Sequence, residues 1–278
     1  MSAPADETDS PLTLAVQALR AKQPRRAEAL ARQAAESSPS DPRAWEALGD
    51  SLAVQDRPGE AVGAFARAVE LLPGDRPSRL KLADALLDAG ERKAAIPHLR
   101  QALALGAGDA QTMLTLGVSL AQTGQLREGL MHLRQAAVLA PDSATVQHNL
   151  GVALADANES EEAEKALRKA LALEPEYAEA HANLGKVLDD LGRAEDAAES
   201  YRSAIRCRPE SPTPYAGLAQ VLGKAGKRAE AAVLLEQAQR LEPRSPVALN
   251  RLGLALNELG RFAEAEACYL DALRISPL

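Results

Sequence analysis

Residues Ala178 to Ser211 read AEAHANLGKVLDDLGRAEDAAESYRSAIRCRPES, and the landmarks of this stretch return along the chain at a fixed interval of 34 residues. The Leu-small pair Leu184-Gly185 has counterparts at Leu14-Ala15, Leu48-Gly49, Leu82-Ala83, Leu116-Gly117, Leu150-Gly151, Leu218-Ala219 and Leu252-Gly253. Ala197 is matched by Ala27, Ala61, Ala95, Ala163, Ala231 and Ala265, with Gly129 the one variant. Pro209 is matched by Pro39, Pro73, Pro141, Pro175, Pro243 and Pro277, and only Ala107 breaks that series. Eight copies in one register without insertions make a repeat protein, in which each unit buries its apolar face only by stacking on neighbours.

Each landmark has a physical reason. Leu184, Leu188 and Leu191 lie at helical spacing on one face, and Gly185 lets the second helix of the unit come close. Gly192, with Gly90, Gly124, Gly226 and Gly260, suits the left-handed residue that stops a first helix. Asn158 is a tolerable substitute there, and Asp56 and Lys22 are poorer ones. Proline ends the second helix, and Asp41-Pro42, Ser211-Pro212 and Ser245-Pro246 read as caps that open the next.

These residues resemble the tetratricopeptide repeat family over essentially the whole chain from Thr8 onward. The resemblance implies an all-α, right-handed α-solenoid or superhelix of eight stacked helix-turn-helix repeats. It divides the chain into a disordered lead at 1–7 and a superhelix at 8–278, with 8–41 a degenerate capping repeat and 42–278 seven well-matched repeats. The family's aromatic landmarks are largely replaced by Leu, with Trp45, Phe65, Tyr201, Tyr215, Phe262 and Tyr269 retained; Trp45 is expected in the core. Pro97 inside a second helix predicts a local bend, and the GAGD ending of that copy predicts a looser junction.

Composition narrows the function classes. A formal net charge of -7 disfavours nucleic acid as partner. No apolar run reaches membrane-spanning length, so no membrane partner is expected. The polar start MSAPADETDS lacks the pattern of a signal peptide, which makes the cytoplasm the expected location. Richness in Ala, Arg and Leu fits a GC-rich bacterial source. Cys207 and Cys268, two repeats apart, are expected as free thiols.

No phosphate loop, paired-cysteine pattern or nucleophilic triad stands in the chain, so a non-catalytic protein without metal or cofactor is expected. His98 and His132 share a position in adjacent copies but lack a third ligand. The family resemblance assigns first helices to a concave groove and names the positions that look into it. These include Asp50, Lys81, Asp84 and Asp88, then His148, Asn149, Asp156, Asn183, Lys186 and Asp189, and finally Gln220, Asn250, Arg251 and Asn257. His181 is expected beside them as polar lining. Asn149 and Asn183 resemble the asparagines that grip the backbone of an extended peptide, because a carboxamide both donates and accepts. Acid outnumbers base on this face, which predicts a protein or peptide ligand with basic residues and salt-sensitive binding.

Two alternatives come from different classes. The array resembles the superhelical arm of O-GlcNAc-transferase-like protein glycosyltransferases, which implies a substrate-recognition arm with its catalytic domain elsewhere. Alternatively, Leu270, Leu273 and Ile275 leave apolar surface on the last copy, which predicts self-assembly end to end.

Overall fold

The computed structural model describes residues 10–106, 108–241 and 245–276. Among these, sixteen helices and no strands are found. The first helices of successive copies are α1 (Pro11–Arg20), α3 (Pro42–Ala53), α5 (Arg76–Asp88), α7 (Ala110–Gln122), α9 (Ala144–Asp156), α11 (Ala178–Asp190), α13 (Pro212–Lys224) and α15 (Pro246–Glu258). The second helices are α2 (Pro24–Ser37), α4 (Pro58–Leu71), α6 (Arg92–Ala104), α8 (Leu126–Leu139), α10 (Ser160–Leu173), α12 (Ala194–Cys207), α14 (Arg228–Arg240) and α16 (Phe262–Ile275). The fold is an all-α helical solenoid of eight helix pairs. Its packing divides into two compact units, Met1–Gln135 and Ala136–Leu278.

In the first unit, α3 and α5 each pack on the second helix of their own copy and on that of the copy before, α1 packs on α2, and α7 packs on α6. The core between them is built from Leu48, Leu52, Phe65, Leu82, Leu86, Leu99, Leu116 and Leu120 with alanines. The second unit repeats the scheme with Leu154, Leu167, Leu184, Leu188, Tyr201, Leu235 and Leu256 buried. Its last junction differs, because α15 packs chiefly on α13 rather than on α14. Burial of such side chains stabilises by roughly 1.5–3 kcal/mol each.

The stop between the paired helices takes the left-handed form in every copy from the first to the eighth. Gly192 has φ 75°, and the non-glycine stops Lys22, Asp56 and Asn158 adopt φ 54°, 57° and 60°. The register of the repeat thus overrides the preference of these side chains. Close approach accounts for Gly185 and Gly217: a Cβ on either would stand 2.9 Å or 2.5 Å from ring carbons of Tyr201. Tyr201 fills the space that two glycines leave.

Several expectations change. Trp45 packs against the core as expected but is only half-buried, and its indole N–H donates to the Pro39 carbonyl at 2.9 Å. Asp41 and Ser245 cap as read, accepting from Arg43 N and Ala248 N, whereas the Ser211 side chain makes no cap bond. Helix α6 runs through Pro97 from Arg92 to Ala104. The lead at 1–7, Ala107, Pro243 and Pro277 lie outside the described residues. Cys207 and Cys268 are free thiols.

Candidate functional site

From α3 onward first helices start 34 residues apart, so within each unit equal positions on neighbouring first helices stand side by side, and their side chains meet. In the first unit this builds a carboxylate row. Lys81 Nζ lies 2.8 Å from Asp50 Oδ2 and 3.5 Å from Glu46 Oε2, one helix back. The same ammonium stands 5.9 Å from the Phe65 ring centroid. Burial would lower the Lys81 pKa, but Asp50 and Glu46 outweigh it and hold it above the ordinary lysine value. Buried Ser78 places its Oγ 2.5 Å from Glu46 Oε1 and 2.6 Å from the cap residue Asp75.

Asp84 and Asp88, one turn apart on α5, are exposed and pair with no cation among the described residues. Packing of its neighbours, then the Asp88 charge, pushes the Asp84 carboxyl above its usual value. Lys81 therefore serves Asp50 and Glu46 alone, and a cationic ligand would relieve the excess at Asp84 and Asp88.

The second unit builds a different surface at the same positions. His148 sits between two partners: Asn183 Nδ2 at 2.9 Å from Nε2 and the Tyr177 hydroxyl at 3.1 Å from Nδ1. With the Asn183 amide donating, the ring is the Nδ1–H tautomer and donates to Tyr177. The His148 and Tyr177 rings stand 4.7 Å apart, tilted by 42°. Burial holds the His148 pKa below the ordinary histidine value, against a smaller opposing effect of Glu179, so the ring is neutral at pH 7. Asn149 spends one amide hydrogen on its own helix, at Thr145 O, 2.8 Å away.

This unit carries ion pairs between neighbouring first helices. Lys224 lies 2.9 Å from Asp189, and Lys186 lies 3.8 Å from Asp156. Arg251 reaches past Gly217 to donate to the Tyr201 hydroxyl at 2.5 Å, with its guanidinium 5.8 Å from that ring's centroid. Asn257 donates to the Tyr269 hydroxyl at 3.2 Å; Gln220 is half-buried and Asn250 exposed. The named residues thus gather into the Asp50–Lys81 row, the His148–Asn183 cluster and the Arg251–Tyr201 contact; Asp156 with Lys186, Asp189 with Lys224 and Asn257 with Tyr269 form separate pairs, and Asn149, Gln220 and Asn250 join none of these.

His181 has its Nε2 2.8 Å from the Pro175 carbonyl, a contact at the junction between repeats. The same contact recurs as Trp45 to Pro39, Arg79 to Pro73, Gln147 to Pro141 and Tyr215 to Pro209, always to a carbonyl six residues back. These five side chains stand at one repeat position and share only an N–H or O–H donor. A search for similar side chains misses them; a search for donors opposite the terminal proline would have found them. Tyr177 was also missed, since its partner is 29 residues away and no spacing marks it. His98 and His132 have buried Nδ1 atoms without a hydrogen-bond partner, and the described residues hold no cluster of metal-ligating side chains. No helix among the described residues is long and apolar enough to cross a membrane.

Among the described residues, sixteen helices paired by left-handed stops define a helical-repeat protein. The chain belongs to the tetratricopeptide repeat family, whose model matches residues 12–76, 80–144, 148–212 and 217–278. Among curated proteins none matches. In the crystal structure of the APC/C hetero-tetramer Cut9-Hcn1, a chain 19% identical aligns with a TM-score of 0.65 over 91% of this chain and 50% of its own length. This chain therefore spans about half of that relative. MamA is 28% identical, with a TM-score of 0.53 over 58% of this chain and 94% of its own. YrrB, described as a TPR protein with an unusual peptide-binding site, is 21% identical, with a TM-score of 0.56 over 64% of this chain and 92% of its own.

Proposed function

We propose that this protein is a non-catalytic scaffold of the cytoplasm that holds a partner protein, as an extended segment, along the faces of its first helices. The observation that carries the reading is the row Glu46, Asp50, Asp84 and Asp88, in which Lys81 pairs with Glu46 and Asp50 and no described cation pairs with Asp84 or Asp88. Such a row favours a segment carrying Lys or Arg, and its attraction is screened by salt. In the second unit, Asn149 and Asn183 keep a free carbonyl oxygen or amide hydrogen for a peptide backbone. Anisotropy of labelled basic, neutral and acidic peptides at two salt concentrations tests this. Preferential binding of the basic peptide that weakens with salt is expected, and equal binding of all three would remove the reading.

A second reading has its own observation. Phe262, Leu270, Leu273 and Ile275 on α16 are all exposed, at 68%, 50%, 47% and 52%. Self-association through this face would cover them. Sedimentation of wild type and Leu273→Glu decides it: a larger species lost in the variant supports the idea, and a monomer in both ends it.

A further inference from the structure

We infer that the turn between α1 and α2 is a second recognition site, which binds an acidic segment of a partner protein. It is built on Lys22, Arg25 and Arg26, off the first-helix faces, and does not depend on the groove reading. The stretch Arg20 to Arg26 reads RAKQPRR, and no carboxylate stands between Ser10 and Ala27. Lys22, Arg25 and Arg26 are all exposed, and Arg20, the last residue of α1, adds a fourth cation. Among the described residues no carboxylate pairs with any of the four, and Arg26 donates instead to the Gln23 side-chain oxygen at 3.3 Å.

The other copies show what this turn forgoes. At the positions of Lys22, Arg25 and Arg26 the first copy carries three positive charges, whereas the other seven copies range from two net negative to one net positive. Glycine holds the left-handed stop in five copies, but Lys22 takes it at φ 54°, where its Cβ crowds the following carbonyl. Where Arg26 stands, six other copies have Glu60, Glu128, Glu162, Asp196, Glu230 and Glu264. Three of these close an ion pair with the arginine three residues before, as Arg57–Glu60, Arg193–Asp196 and Arg261–Glu264. Arg25 and Arg26 also lie in the first turn of α2, which has no acidic residue, and the helix macrodipole disfavours cations there. Each of these choices lowers stability and adds positive charge, and that combination marks a surface that serves binding rather than folding.

Chemistry narrows the ligand. Arginine forks hold carboxylates through paired N–H donors, and here two guanidinium groups on adjacent residues stand with an ammonium on the same turn. A single inter-helix turn offers a patch about one helix diameter across, roughly 10 Å, which fits a short segment with a few closely spaced carboxylates. A membrane surface or a nucleic acid backbone would extend beyond the patch and meet the rest of a chain of net charge -7, which repels it.

The test uses a fluorescein-labelled Glu-Asp-Ser repeat peptide, with anionic lipid vesicles and duplex DNA as rival ligands, against wild type, Arg26→Glu, and Arg25→Gln combined with Arg26→Gln. Wild type is expected to prefer the acidic peptide to both rivals, and high salt should weaken that binding. Both variants should bind the acidic peptide roughly tenfold more weakly at low salt. Arg26→Glu restores the residue type that most other copies carry, so its thermal midpoint should equal or exceed that of wild type. No binding of the acidic peptide by wild type, or binding that the variants keep, overturns the site. Tighter arginine-dependent binding of vesicles or DNA overturns it as well, and so does a lowered midpoint in Arg26→Glu, which would show that the cation serves the fold.

Discussion

The first-helix faces of the two units carry the same positions with opposite chemistry. In the first unit, α3 and α5 carry Glu46 and Asp50 on Lys81 together with Asp84 and Asp88, which no described cation pairs, so negative charge is left over. In the second, α9 and α11 hold a neutral chain of Asn183, His148 and Tyr177, and the nearby charges pair off as Lys186–Asp156 and Lys224–Asp189. The difference teaches that a repeat decides where a side chain stands and leaves its chemistry free. Core positions cannot drift in this way, because the neighbouring copy fills the space around them.

The largest effect is expected where packing, not charge, distinguishes the units. Tyr201→Ala in the second unit empties the space between Gly185 and Gly217 and should cost about 3–5 kcal/mol in urea unfolding. The variant Tyr201→Phe keeps the ring and loses only the contact with Arg251, so it should cost about 1 kcal/mol.

Next in size is the charge contrast itself. Asp84→Asn with Asp88→Asn should weaken basic-peptide binding by roughly 1 kcal/mol at low salt, with little change at high salt. Titration calorimetry at both salt levels would show it. Retention of full affinity would mean that the carboxylate row is a solvated face and no more.

A comparison of junctions gives a similar or smaller effect. Gln147 donates to the Pro141 carbonyl at 3.2 Å, whereas Met113 at the equivalent position has no such donor. Gln147→Met should therefore cost about 0.5–1.5 kcal/mol, read from the midpoint of denaturant unfolding.

The smallest effect is a pH dependence confined to the neutral cluster. The His148 pKa is lowered in the folded state, so the unfolded state binds more protons below the ordinary histidine pKa of about 6.5. Stability should be full above that pH and decline as pH falls through it, until the folded-state value is passed. Replacing His148 by Gln should flatten this part of the profile in thermal melts, and a histidine NMR titration should place His148 below 6.5. An unshifted titration would contradict the burial argument.

Much of the architecture was legible because the 34-residue period forces every copy to reuse the same contacts. Leu184, Gly185, Ala197 and Pro209 announce one helix pair, and their counterparts announce the rest. Even the left-handed stops at Lys22, Asp56 and Asn158 could be read, since the register demands that conformation whatever residue stands there. The candidate site was legible only as positions. That Asn183 would spend a hydrogen bond on His148, and that His181 would turn to the Pro175 carbonyl, depends on neighbours one helix away.

By itself, then, the amino-acid sequence determined the helix pairs, their order and the faces they bury, because hydrophobic spacing, stops and caps act within a few residues along the chain. The tertiary structure alone decided which polar side chains meet and that the Tyr201 ring lies against both Gly185 and Gly217. Those outcomes depend on ångström-scale distances between side chains about one repeat apart, and periodicity carries no record of them.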